Sequence, residues 1–266
     1  MTRPSVLVLR AAGINCDVEM SFGFERCGAA VQSAHVNRLL AEPDELLRHH
    51  VLALPGGFAY GDDVAAGAVL ATEMGTHLAA TLQRFVEEGG LVMGICNGFQ
   101  ALVRLGLLPG LEAPVGTQEV ALTDNVSHKY EDRWVRLGVA SERCVFVGDS
   151  QDLELPIGHA EGRLVCLSES VRERLHAEDR VVFRYLDAHG ETASDYPANP
   201  NGSLDAIAGL TDRTGRVLGM MPHPDRALFG HNHPEWTRRH RGAGAPDLGP
   251  GAALFQNACD WVSANR

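Results

Sequence analysis

The sequence predicts an α/β fold: a mostly parallel sheet flanked by helices, with an antiparallel extension in its second half. Three observations carry that expectation. The first hundred residues alternate short apolar runs with helical periodicity, the order that builds a parallel sheet covered on both faces. One apolar run, Leu91-Val92-Met93, ends in Gly94-Ile95-Cys96-Asn97-Gly98 and passes at once into a helical pattern of Phe99, Leu102, Val103 and Leu105. Beyond residue 130 the helical pattern yields to short strands separated by turn residues.

The elements follow in order. Residues 6–9 read as a strand, and a helix starts near Asn15 or Asp17, both good caps, and runs to about Arg26. Residues 31–36 and 51–54 are further strands, separated by a short helix around 43–49. Residues 75–88 are helical, with Leu78, Leu82, Phe85 and Val86 on one face, and 91–93 form a buried strand. In the second half, 134–139, 145–147, 153–157, 163–166 and 181–185 read as strands joined by turns. Residues 207–210 and 217–221 pair around a turn at 212–215, and a last helix at 252–264 carries Leu254, Ala258, Trp261 and Val262 on one stripe. Residues 231–251 form a loop rich in Gly, Pro and His. No repeat or low-complexity linker divides the chain, so a single domain over 1–266 is expected.

Composition narrows the function. With 45% hydrophobic and 21% charged residues, the chain is expected to be soluble and globular. A formal net charge of -11 argues against a nucleic-acid partner held through phosphates. The start lacks a signal-peptide apolar region, no run reaches membrane-spanning length, and the six cysteines form no C-x-x-C pair. A cytoplasmic protein with reduced thiols and no membrane contact fits these facts.

Gly-x-Cys-x-Gly between a strand and a helix is the cysteine form of the nucleophile elbow, a strained turn that lifts the reactive side chain above the sheet. A thiol at a helix N-terminus also meets the positive end of the helix dipole, which favours thiolate. A buried structural cysteine is the bland alternative; the flanking glycines favour the nucleophile. A nucleophile needs a base oriented by a third group. His223 follows the strand at 217–221, in Pro222-His223-Pro224-Asp225, where Asp225 can reach back to the imidazole. Thiol acyl chemistry also generates an oxyanion, which backbone N–H groups must hold. The N–H of Asn97 is one candidate and that of Gly57, in Pro55-Gly56-Gly57, is the other. No phosphate loop of the G-x-x-x-x-G-K-[ST] type occurs. His223, His231, His233 and His240 crowd one region with Asp225 and Glu235, but their spacing fits no metal-binding pattern, so no metal is expected. His233-Pro234-Glu235 repeats the His-x-acid pattern and ranks below His223 because it lies further from the strand end.

Elbow, Pro-Gly-Gly loop and late His-x-acid, in that order, resemble a triad-type (class I) glutamine amidotransferase. The stretches 94–100, 55–62, 221–226, 13–17, 156–163 and 196–203 are similar to the glutaminase component of phosphoribosylformylglycinamidine synthase, and the likeness spans residues 6 to about 262. The resemblance implies a flavodoxin-like sheet, with Cys96 as nucleophile, His223 as base, Asp225 as orienting acid, and Gly57 and Asn97 as the oxyanion hole. It implies that Gln100, and more distantly Asn125 and Ser127, bind the substrate L-glutamine. It also implies a separate ATP-dependent synthetase as partner, with or without a small bridging subunit. ATP and Mg would sit on that partner and no cofactor on this chain. Two positions depart from the pattern: Asp225 stands where Glu is usual, and Ala59 where Ser is common. Two alternatives stay open. One is a protease or deglycase on the same type of sheet, which usually has His after the elbow cysteine where this chain has Asn97. The other is a non-catalytic regulatory module.

Overall fold

The structure is a computed structural model that describes residues 2–111, 116–148, 152–240, 244 and 246–266. The first half runs β1 (Ser5–Arg10), α1 (Asp17–Arg26), β2 (Ala30–His35), α2 (Val36–Ala41), β3 (Val51–Leu54), α3 (Ala68–Glu87), β4 (Leu91–Ile95) and α4 (Asn97–Arg104). The second half runs β5 (Val120–Thr123), β6 (Glu131–Val139), β7 (Leu153–His159), β8 (Arg163–Cys166), α5 (Glu169–Ala177), β9 (Val181–Leu186), β10 (Ile207–Thr211), β11 (Val217–Met220), α6 (Trp236–Arg239) and α7 (Ala252–Asn265).

Nine strands form one sheet in the order β2-β1-β3-β4-β11-β10-β9-β6-β7, and β5 pairs with β8 apart from it. The pairings from β2 to β11 are parallel, and those from β11 to β7 are antiparallel. The expected parallel sheet with an antiparallel extension is therefore present, and the extension is as wide as the parallel part. β3 and β4 are buried at every position, because helices cover both faces. α3 turns Leu70, Met74, Leu78, Leu82 and Phe85 inward. Strand β11 joins the halves by pairing parallel to β4 and antiparallel to β10. The carboxyl ends of β3, β4 and β11 thus lie side by side, where ligands bind in such sheets.

Several boundaries differ from expectation. Residues 145–147 form turns rather than a strand; Phe146 and Val147 are fully buried, and their carbonyls accept from Asn257 Nδ2 instead of a ladder. Neither Asn15 nor Asp17 caps α1: Cys16 holds the cap position and makes no side-chain cap bond. The helix expected from residue 75 begins at Ala68. The segment at 43–49 is a 3-10 turn, Pro43–Arg48, preceded by α2, which the apolar run at 31–36 concealed. Sequence reading missed β5 and α5; Ser168 caps α5 by accepting from Val171 N, but only Leu175 of that helix is buried, so its apolar stripe is faint. Within 231–251 a short helix, α6, interrupts the loop, while residues 241–243 and 245 of that loop lie outside the described residues. No helix among the described residues is long and apolar enough to cross a membrane.

Candidate active site

The elbow is formed as expected. Cys96 follows β4 at the cap of α4 with φ 52° and ψ -106°, a left-handed conformation that costs a non-glycine residue energy and persists only when its surroundings enforce it. Enforcement comes from close packing. A Cβ on Gly98 would lie 2.0 Å from the Leu54 carbonyl oxygen, and one on Gly94 would lie 2.5 Å from Leu102 Cδ1. Cys96 N donates to Met220 O at 2.8 Å, which ties the elbow to β11. The side chain is buried, and its Sγ lies 3.6 Å from the Gly158 carbonyl oxygen.

His223 follows β11, and its N–H donates to Pro156 O of β7 at 2.8 Å. Its Nδ1–H donates to Asp225, 3.1 Å from Oδ1 and 3.4 Å from Oδ2. Both residues are buried, and Nε2 has no hydrogen-bond partner among the described residues. A Cβ on Gly56 would lie 2.6 Å from His223 Cε1 and 3.4 Å from Cys96 Cβ, so the two side chains meet over a glycine that leaves them room. Burial pulls the imidazole pKa down, but the Asp225 carboxylate, then the Cys96 sulfur, outweigh it and hold the ring well above its ordinary value.

Of the two oxyanion candidates, Asn97 directly follows Cys96 and Gly57 lines the cavity at Cys96. Asn97 N is a first-turn amide of α4, outside the intrahelical ladder. Gly57, at φ 148°, forms a bridge with Ile14; the bonds Asn15 N to Gly56 O and Phe58 N to Gly13 O flank it and leave its own N–H outside the bridge. The Asn97 side chain has a task the sequence did not reveal. Its Oδ1 accepts from Ala59 N at 3.0 Å, and its Nδ2 donates to Asp62 Oδ1 and to Gln100 Oε1, fastening the Pro-Gly-Gly loop to the elbow.

A cavity of about 150 Å³ opens at Cys96 between Gly57, Gln100, His159 and Glu161. Gln100 lines it, with Nε2 donating to Glu161 O at 2.6 Å. Asn125 and Ser127 are not on its wall. Asn125 is fully buried behind it, donating to Lys129 O and His159 O and accepting from Gly162 N, while Ser127 donates to Glu131. His159 is a wall residue in the stretch 156–163, which the resemblance picks out without assigning it a role. Burial, then the nearby His223, push its pKa down to about 3. Its Nδ1 lies 3.2 Å from Asn125 Oδ1.

The other histidines stay apart. His233 binds Glu154 at 3.1 Å and sets its ring edge on Trp134, while His231 stacks on Phe229. The Glu235 carboxylate pairs with Arg238 and Arg239, and its backbone N–H donates to His233 Nδ1 at 3.0 Å. Three further residues reach the site. Arg226 Nη2 donates to Cys16 Sγ at 2.9 Å. The Tyr130 hydroxyl hangs over Gly158, 2.8 Å from where a Cβ would be. Cys16 and Arg226 stand in motifs that the resemblance picks out, without roles readable from spacing; Tyr130 carried no signal.

A cysteine on a strained elbow, a buried His–carboxylate pair and two nearby amides are the parts that a cysteine amidohydrolase site of the triad type requires. The family model for the CobB/CobQ-like glutamine amidotransferase domain matches residues 3–262. A phosphoribosylformylglycinamidine synthase subunit PurQ from Dehalococcoides mccartyi is 43% identical over 264 residues, which covers 98% of this chain and 99% of that one. A chain in the structure of PurLQS from Thermotoga maritima superposes with a TM-score of 0.70 at 29% identity, covering 98% of this chain and all of that one. A glutamine amidotransferase from the same organism, at 15% identity and a TM-score of 0.51, covers 91% and 84% of the two chains and shows the fold alone. The chain belongs to the CobB/CobQ-like glutamine amidotransferases, among the PurQ subunits of phosphoribosylformylglycinamidine synthase.

Proposed function

We propose that the whole chain acts as one glutaminase domain that hydrolyses L-glutamine and delivers ammonia to an ATP-dependent phosphoribosylformylglycinamidine synthetase in purine biosynthesis. Cys96 thiolate attacks the side-chain amide carbon. The tetrahedral oxyanion sits between the N–H groups of Gly57 and Asn97. Protonated His223 gives its proton to the departing nitrogen, ammonia leaves, and a glutamyl thioester remains on Cys96. Neutral His223 then takes a proton from water, whose oxygen attacks the thioester carbon. Glutamate departs and the thiol is restored. Asp225 keeps the Nδ1–H tautomer and supports the imidazolium. Gln100, braced by Asn97 and the Glu161 carbonyl, holds the substrate in the cavity, while Asn125 acts from behind by fixing the loop that carries His159 and Gly162.

The observation that carries this reading is the meeting of Cys96 and His223 over Gly56, with Asp225 behind the ring. The catalytic groups are side chains and backbone amides of this chain, and the reaction asks no cofactor of it. ATP and Mg belong to the synthetase, which a small bridging subunit joins to this chain. The cytoplasm is the compartment where such a complex would work. Asn97 after the elbow cysteine and the intact triad disfavour both the other cysteine hydrolase and the inert module.

The test is glutamate release from glutamine in the assembled complex with ATP and formylglycinamide ribonucleotide. Cys96→Ala should lower it by about a millionfold, as loss of a nucleophile does. Undiminished release from a folded Cys96→Ala complex would overturn the mechanism.

A further inference from the structure

Asp225 does not hold His223 tightly. Its oxygens lie 3.1 and 3.4 Å from Nδ1, whereas charge-assisted N–H···O bonds run at about 2.7–2.9 Å. A second group stands beside the ring. Cys16 Sγ, a His223 ring nitrogen and an Asp225 carboxylate oxygen all lie within 4.8 Å of one another, and all three residues are buried. The sulfur is also 3.4 Å from the position of an absent Gly56 Cβ, and His223 Cε1 is 2.6 Å from that same point. Cys16 occupies the cap position of α1, where a side chain ordinarily accepts from the first helical amides, yet it makes no such bond. Its sulfur instead accepts from Arg226 Nη2 at 2.9 Å.

We propose that Cys16, its sulfur anchored by the Arg226 guanidinium, is a positioning residue for His223 that shares with Asp225 the support of the imidazole. The proposal rests on the assignment of His223 as the base. It follows from two electrostatic effects of one sign. An electron-rich sulfur beside the ring favours the imidazolium formed when Cys96 loses its proton. The same sulfur covers the Arg226 cation, which would otherwise oppose that charge. The groups facing His223 are Asp225 from its own loop, Cys96 from the elbow, Cys16 from the start of α1, and Tyr130 and His159 from the opposite wall. Arg226 lies behind Cys16 and also faces Asp225 and Cys96. The backbone joins in: Asn15 N and Cys16 N both donate to Gly56 O, so the segment carrying the sulfur also fixes the peptide before Gly57.

The test compares Cys16→Ala and Cys16→Ser in the assembled complex, with glutamate release followed against pH. Losing a hydrogen bond to a charged group should lower kcat/KM in Cys16→Ala by roughly ten- to a hundredfold. KM should hold, because Cys16 does not line the cavity. The alkaline limb of the profile, where the imidazolium that protonates the departing nitrogen loses its proton, should move to lower pH, since the ring loses support for that proton. Serine, a smaller acceptor, should restore part of the rate and part of the limb. A folded Cys16→Ala complex whose alkaline limb matches the unsubstituted one would overturn the proposal, whatever its rate. Should Cys16→Ala fail to fold, an unmoved limb in Cys16→Ser would do the same. Cys96→Ala in parallel separates the two ideas: if it still releases glutamate, the triad itself falls, independently of Cys16.

Discussion

The parallel and antiparallel halves each end in a histidine at the same cleft, and the two histidines are driven in opposite directions. His223, at the end of β11, faces a carboxylate, and its pKa stands well above the ordinary value despite complete burial. His159, at the end of β7, faces the amide of Asn125, and burial takes its pKa down to about 3. A buried imidazole with an anion beside it carries charge; one with a neutral acceptor does not. Only the first can shuttle a proton near neutrality. The parallel half carries the proposed reacting groups on closely packed backbone, and the antiparallel half supplies a neutral wall.

The sharpest way to break this contrast is to give both histidines neutral neighbours. Asp225→Asn should cut glutamate release on the order of 10³- to 10⁴-fold, as loss of the orienting acid does in triads. Stability should respond with a definite sign. A His whose folded pKa is raised adds stability that is present below about pH 6.5 and lost as pH rises through the raised value. Asp225→Asn should therefore flatten the decline in stability on the alkaline side, as read by denaturant unfolding across pH. An Asp225→Asn complex with full activity would show that the contrast between the two histidines has no catalytic meaning.

The second comparison sets one substitution in each half. A Cβ at Gly98 meets the backbone oxygen of Leu54 at 2.0 Å, and β3 cannot move without the whole parallel sheet. A Cβ at Gly138, in β6, has the Leu186 side chain as its nearest neighbour, with Cδ2 at 3.0 Å. Gly98→Ala should cost about 3 kcal/mol or more and disturb the elbow. Gly138→Ala should stay within about 1 kcal/mol of neutral, since the tip can turn aside and alanine lowers the entropy lost on folding. Equal costs in urea unfolding would mean that the elbow is no more rigid than the outer sheet.

The same division explains what the sequence made legible. The parallel half announces itself because strands buried on both faces need continuous apolar runs, and because the turn at Cys96 admits only glycine at Gly94 and Gly98. Those constraints are local, so Cys96, Asn97, Gly57, His223 and Asp225 could be placed from pattern. Residues 145–147 misled because burial alone selects apolar residues, with or without a ladder. The arrangement of Cys16, Arg226 and Tyr130 about the site was illegible for another reason. Cys16 and Arg226 are 210 positions apart, and nothing in residue type or spacing encodes a contact at that range. Asn125 shows the converse: a residue near the pocket in sequence terms that works through its carbonyl partners rather than on the wall.

The smallest expected effect concerns the neutral histidine alone. Asn125 Nδ2 donates to Lys129 O and His159 O, so its Oδ1 is the atom that faces His159 Nδ1, and that nitrogen carries the proton. The other nitrogen, Nε2, is buried with no partner among the described residues, and Gly162 packs so closely on the ring that a Cβ there would lie 2.3 Å from Cε1. A second proton would have no acceptor. His159 should therefore stay neutral while the unfolded chain takes up a proton near pH 6.5. Between that pH and about 3, the unfolded state binds more protons, and stability falls as pH falls. Replacing His159 with Asn removes this contribution. Between pH 6.5 and 4, the stability of His159→Asn should decline less steeply than that of the natural chain, by up to about 1.4 kcal/mol per pH unit, the slope of one proton. Parallel slopes would mean that His159 takes up its proton in the fold as readily as in the unfolded chain, and the wall of the cleft would then be charged like its floor.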